Sequence, residues 1–491
     1  MFDFFRTGHI AFVHLFYINL VLSIVIVFFQ RREPRAVWTW LLALNFLPVV
    51  GIILYLLIGQ DYRKSKMFKV KNVEDSISKA AIKQEKFFAN NDRVLNDPYT
   101  KDYQRQMQYN LISGGSLMTM KNTLKIFNDG NDKFDALIED IKNAKEYIHL
   151  QYYIIKNDYL FRNISRELIK KADEGVEVRV LFDGMGGRFM SKKLLDNMKA
   201  HKIKIGVFFP AALGKINFRI NYRNHRKIAV IDGKIGYVGG FNIGKEYVDG
   251  SKKFGHWRDT HLRIVGEAVN GLELRFGLDW NYATKEDIFN SDKYFKPLEE
   301  MNILPKNGDD VLRMQIISSG PDSETKLIRD NYIEIINNAK YHVYIHTPYF
   351  IPDEAFMSAL NVAARSGVDV RLMIPCMPDH PFVYSATLSW AGTLLEAGGK
   401  VYTYERGLHA KSVMADGKVA CVGTANMDIR SFELNFEVNA MIYDEEVTTE
   451  LEDNFMRDIY DSEEYTFDMY KNRSLLQRIK EQVSRLLSPL L

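Results

Sequence analysis

One pattern occurs twice along this chain. Ile141-Lys-Asn-Ala-Lys-Glu-Tyr-Ile148 is matched by Ile336-Asn-Asn-Ala-Lys-Tyr-His-Val343. Each runs into an apolar, strand-like segment that closes on aromatics, Tyr152-Tyr153-Ile154 in one and Pro348-Tyr349-Phe350 in the other. Gly175-Val-Glu-Val-Arg-Val-Leu181 and Gly367-Val-Asp-Val-Arg-Leu-Met373 then agree, each after a helix-like stretch, 168–174 and 360–366. Helix and strand alternating in two copies predicts two α/β halves, each a mixed sheet flanked by helices and large enough for its own core. Related by a pseudo-twofold axis, they would bring equivalent residues face to face. The halves are expected at 111–305 and 306–471, joined by the turn-rich Leu304-Pro-Lys-Asn-Gly-Asp-Asp310.

The repeat also carries polar residues. His225-Arg-Lys227 is followed by Asp232, Gly239 and Asn242; His409-Ala-Lys411 is followed by Asp416, Gly423 and Asn426, with identical spacing. Residues two apart on a strand share a face, so each histidine projects with its lysine. An imidazole serves as nucleophile or acid–base, and an ammonium stabilises charge on phosphoryl oxygens. Gly239, Gly240 and Gly423 allow close backbone approach, and Asn242 and Asn426 can hydrogen-bond phosphate. Asp232 and Asp416 complete the candidate catalytic set, but each precedes a glycine between strand-like runs. There they either brace a hairpin turn or take part in proton chemistry.

Residues 10–29 and 36–60 contain no Asp, Glu, Lys or Arg, and each run is long enough for a membrane span. Residues 1–60 are therefore expected to form a transmembrane hairpin, with spans about 10–29 and 38–58, turning at Arg31-Arg32-Glu33-Pro34-Arg35. A second apolar run and the lack of a small-residue cleavage site argue against a cleaved signal. Arg6, Arg63, Lys64, Lys66, Lys69 and Lys71 outnumber the three arginines of the turn, which puts the catalytic part on the cytosolic side of the cell membrane. Residues 61–110 read as a basic connector, and 472–491 as a basic amphipathic helix. That helix either lies in a membrane interface or packs as a terminal helix.

A formal charge of +3 does not describe a nucleic-acid binder. Cys376 and Cys421 fit two free thiols better than a disulfide, and no motif demands a metal or a cofactor. Gly184-Met-Gly186-Gly187 follows an apolar run but lacks the third glycine of a dinucleotide fingerprint.

The paired motif resembles the signature of the phospholipase D superfamily. With Gly239-Gly-Phe-Asn-Ile-Gly-Lys-Glu-Tyr247, His256-Trp-Arg-Asp-Thr260 and Asn426-Met-Asp-Ile-Arg-Ser-Phe432, the chain is similar to the bacterial cardiolipin synthases of that superfamily over nearly its whole length. The resemblance implies that one histidine, His225, attacks a phosphatidylglycerol and releases glycerol from a phosphatidyl-histidine. The other, His409, acts as acid and then base for a second phosphatidylglycerol, giving cardiolipin. It implies that Lys227, Lys411, Asn242 and Asn426 hold phosphate, and that an acidic residue orients each histidine, for which Glu437 and Asp259 are the matches. Arg258 and Arg430 are read either as neutralisers of surrounding phosphate or carboxylate or as surface ion pairs. The implied partners are phosphatidylglycerol, cardiolipin and a bilayer; oligomerisation is left open. A phospholipase D hydrolase, a transferase with another alcohol acceptor, a nuclease and a non-catalytic lipid scaffold are the rivals.

Overall fold

The computed structural model describes residues 2–29, 34–58, 79–86, 101–188, 190–210, 221–251, 253, 255–289, 293–294, 312–323, 325–377 and 380–486. The expected linker at 304–310, most of the basic connector and the last five residues lie outside the described residues.

The repeat becomes two sheets of matching order. The first runs Asn122–Phe127, His261–Gly266, Ile235–Gly239, Ile228–Ile231, Tyr147–Tyr152, Glu177–Asp183, Lys204–Phe208. The second runs Arg313–Ser319, Asn435–Tyr443, Val419–Gly423, Ser412–Ala415, His342–His346, Asp369–Pro375, Lys400–Tyr404, and adds Ser462–Glu464 at its edge. In each, strands joined by helical crossovers are parallel and the motif strand enters antiparallel beside them. Even the caps are copied: Asp158 accepts from the Phe161 amide and Asp353 from the Phe356 amide, starting the helices Tyr159–Asp173 and Glu354–Arg365.

Each half has a core of its own, and a third apolar cluster joins them. Val230, Val238 and Leu262 of the first sheet meet Met414, Val422 and Ala440 of the second, with the helix Val269–Thr284 contributing Leu272 and Phe276. Two short parallel pairings stitch the halves: Arg223–Asn224 to Asn435–Phe436, and Trp257–Arg258 to Gly407–Leu408.

Two features differ from expectation. The helix Gln104–Gly114 straddles the expected boundary at 110 but packs on the second half: Met107 and Leu111 join Tyr332 and Ile335, and Arg105 pairs with Glu334 at 2.6 Å. The second apolar run is not one helix but two, Pro34–Phe46 and Pro48–Ile58, because Pro48 has no amide to continue the ladder. The helix Phe2–Ile24 ends in a π-helical turn, Val25–Phe29. Ile26, Trp40, Leu44 and Tyr55 bury one another where these helices meet. Among the described residues no helix is long and apolar enough to cross a membrane.

Candidate active site

Each motif histidine follows one of the short cross-half strands. The His225 amide donates to Phe436 O at 2.9 Å and the His409 amide to Arg258 O at 2.7 Å, so each backbone is pinned by the opposite half. The side chains are held the same way. His225 Nδ1 lies 3.0 Å from both carboxylate oxygens of Glu437, and His409 Nδ1 lies 2.6 Å from Asp259 Oδ2. Neither half orients its own histidine. Gly240 makes room for this, since a Cβ there would sit 1.9 Å from Asp259 Oδ1.

An Nδ1–H donated to a carboxylate leaves the Nε2 lone pair free for chemistry. Both histidines, Asn242 and Asn426 line one cavity of about 440 Å³ between the halves. Tyr153 packs on His225 at 5.0 Å, and Tyr247 and Trp257 flank His409 at 5.7 and 6.0 Å. Burial pushes both imidazoles below their ordinary value, His409 to about 4, with Lys411 and Lys227 adding to the effect there. Burial alone would raise Glu437, but His225 and Lys227 beside it outweigh that and hold it below the usual range.

Lys227 and Lys411 lie beneath the histidines, fully buried, each donating to the carbonyl oxygen of its own motif histidine. Burial holds the Lys227 ammonium well below its ordinary value. Asn242 accepts from the Ile154 amide at 3.1 Å and donates to Tyr247 Oη at 3.0 Å; Asn426 donates to Asp428 at 3.2 Å. Among the described residues no group of three or more His, Cys, Asp or Glu side chains could hold a metal ion.

The aspartates of the motif belong elsewhere. Asp232 accepts the amides of Lys145, Glu146 and Tyr147, and Asp416 those of Lys340, Tyr341 and His342. Each sits at positive φ, 54° and 55°, in the hairpin turn and ties it to the start of the neighbouring strand. Their inclusion in the catalytic set is therefore corrected: they brace the scaffold. Of the readings of Arg258, neutralisation of a carboxylate is the one that holds, because the residue is neither at the surface nor on the cavity wall. Its guanidinium is buried against Asp458, with Nη2 to Oδ2 at 2.8 Å.

The family model for the cardiolipin synthase, phospholipase D-like domain matches residues 137–254 and 332–459, the two halves described above. A Staphylococcus aureus (strain Mu50) cardiolipin synthase is 48% identical over 489 residues, spanning 98% of this chain and 96% of that one. A Listeria monocytogenes (serotype 4a) cardiolipin synthase is 46% identical over 482 residues, 98% of each chain.

The chain belongs to the cardiolipin synthase family of the phospholipase D superfamily.

A phospholipase D–nuclease N-terminal family model covers residues 18–60. The solved phosphatidylserine synthase of Haemophilus influenzae shares the fold, with a TM-score of 0.59 at 15% identity over 79% of this chain and all of that one.

Sequence reasoning missed what stands behind the site of this family member. Arg226, the middle residue of the first motif, turns inward to Asp279 at 2.6 Å, to Ser318 Oγ and to Glu437 O. Asp279 also accepts from Gln151 and Asn224. Alternation on a strand puts Arg226 opposite His225 and Lys227, and that was the available signal. His149 is buried against Glu273 at 2.7 Å.

Proposed function

We propose that the protein joins two phosphatidylglycerols into cardiolipin and glycerol. The observation that carries this reading is the pair of imidazoles, one from each half, that line one cavity and are each held at Nδ1 by a carboxylate of the other half. His225 Nε2 attacks phosphorus and the P–O bond to glycerol breaks, with His409 delivering the proton to the departing oxygen. His409 then takes the proton of a hydroxyl on the second lipid, whose oxygen displaces His225 and closes the new phosphodiester. A neutral ring suits the nucleophile; the acid needs a proton. The phosphodiester anion entering beside His409 supplies the charge that lets it take one up. Lys227 and Lys411 set a positive field in a water-poor site, and Asn242 and Asn426 offer donors to the non-bridging oxygens.

The membrane is the source of both substrates. Phe16, Val21, Phe28 and Trp38 in the N-terminal helices are 56%, 58%, 77% and 65% exposed, and lipid is the solvent that removes the cost of such a surface. These helices form a transmembrane hairpin in this reading, with the two halves cytosolic. The helix Leu475–Leu486 points the same way. It buries Glu481 and Ser484 against the protein while Leu475, Leu476 and Leu486 stay 73–79% exposed, the reverse of a core-packed helix. With Arg478 and Lys480 exposed beside this face, it lies in the headgroup region of an anionic leaflet.

Purified protein in phosphatidylglycerol vesicles, without nucleotide, tests the reading. Cardiolipin and equimolar glycerol are expected. Phosphatidic acid as the dominant product would make the protein a hydrolase instead.

A further inference from the structure

The cavity wall carries positive charge beyond the two motifs. Arg223, on the cross-half strand two residues before His225, lines the same cavity as that histidine, about 6.6 Å away along an extended chain. Arg430, from the other half, lines the same cavity and is held by Asn221, through Nη1 to Oδ1 at 3.0 Å and Nη2 to the backbone oxygen at 3.1 Å. Burial lowers the Arg430 guanidinium below its ordinary value, and the charge of Arg223 lowers it further. Tyr153, packed on His225, feels Arg223, Arg430 and Arg188 together. The glycine turn explains how Arg188 arrives there, since a Cβ at Gly186 would lie 1.9 Å from Tyr153 O.

One carboxylate, Asp428, lines this wall, and a second, Asp183, is buried against Asn224. Asp183 accepts the backbone amides of Asn224 and Met185; Asp428 accepts the Ser431 backbone amide and the Asn426 side-chain amide. Burial raises both, Asp183 to about 6, which weakens their hold on the arginines.

Transfer between two phosphatidylglycerols requires a second anion near the first. The acceptor brings its own phosphodiester, separated from the reacting phosphorus by a three-carbon bridge. That bridge spans six bonds, as do two residues of extended backbone, which is about 7 Å. The separation matches the step from His225 to Arg223.

We propose that Arg223 and Arg430, with Tyr153 between them and Arg188 at the rim, bind the phosphodiester of the acceptor lipid, the one that is not attacked. This assignment rests on the cardiolipin-forming reading above and adds where the second lipid sits. Guanidinium pairs suit such an anion because their donors match its two free oxygens.

Ethanol separates the two phosphates, because it accepts a phosphatidyl group without bringing a phosphodiester. Vesicles of phosphatidylglycerol with added ethanol are given to the full-length protein and to its Arg223→Gln and Arg430→Gln variants. Both cardiolipin and phosphatidylethanol are then quantified. Their ratio does not depend on how much enzyme is folded. It is expected to fall at least about tenfold in each variant, and less in Arg430→Lys, which keeps the charge. An unchanged ratio, whether both products persist or both fall together, would overturn the assignment. Phosphatidylethanol without cardiolipin from the unaltered protein would instead remove the reading on which it rests.

Discussion

The two halves share a sheet order, yet they do not contribute equally to the site. Each gives one motif and one orienting carboxylate. Two buried arginines behind the site have no counterpart from the second half: Arg226 reaches Asp279, Ser318 and the Glu437 carbonyl, and Arg258 reaches Asp458. The second motif has Ala410 where the first has Arg226. Behind these pairs, Gln151 contacts Asp279, whereas His346 Nε2 lies 3.1 Å from Asp458. Tyr153, Tyr247 and Trp257, which flank the two motif imidazoles, are also first-half residues. A duplicated scaffold thus keeps its symmetry where the chemistry needs two histidines, and loses it where the halves must be locked in one relation.

The largest effects probe the symmetric part. His225→Ala and His409→Ala are each expected to lower cardiolipin formation by about 10²–10⁴-fold or more, read by lipid product analysis. A large loss from only one of them would break the equivalence. Glu437→Gln and Asp259→Asn should each cost on the order of 10²-fold with little change in the affinity for phosphatidylglycerol vesicles, because each orients the other half's histidine.

Stability sharpens the asymmetric part. Arg226→Met takes the ion-pair partner from the wholly buried Asp279 and leaves it only the hydrogen bonds from Gln151 and Asn224, at a cost of about 3–5 kcal/mol in calorimetric or denaturant unfolding. Arg258→Met should cost less, since the Asp458 side chain keeps 12% exposure and His346 beside it. Equal losses would contradict the comparison. Acid reports on the imidazoles. His409 is depressed from 6.5 to about 4, so the unfolded chain binds more protons between those values and stability falls as pH drops through that window. The loss amounts to about 3 kcal/mol, and His409→Gln should flatten it more than His225→Gln. Smallest is the motif-aspartate pair. Asp232→Asn and Asp416→Asn are expected to lower stability by about 1–3 kcal/mol while turnover per folded molecule stays within about twofold.

The repeat, its alternation of helix and strand and the four motif residues His225, Lys227, His409 and Lys411 were legible because periodicity and spacing are local. The crossing of Glu437 to His225 and of Asp259 to His409 was not. Their carboxylates lie 212 and 150 residues from their partners, and only the stitched strands bring them together. Asp232 and Asp416 misled for the opposite reason: a short spacing put them in the motif, while the positive φ of the turn sends them to backbone amides. For Arg258 the sequence left the partner open, because nothing local distinguishes a buried arginine from a surface one. The helix Gln104–Gly114 crossed the expected boundary because its partners, such as Gln315 and Asn331, lie in the second half.

The most direct test of two histidines with different tasks is to trap the covalent intermediate. A phosphatidyl donor whose leaving group needs no proton, such as a nitrophenyl ester, makes the acid dispensable for the first step. With that donor, His409→Ala should accumulate a phosphatidyl adduct that mass spectrometry locates on His225, and His225→Ala should accumulate none. An adduct on His409 in the His225→Ala protein would contradict the account.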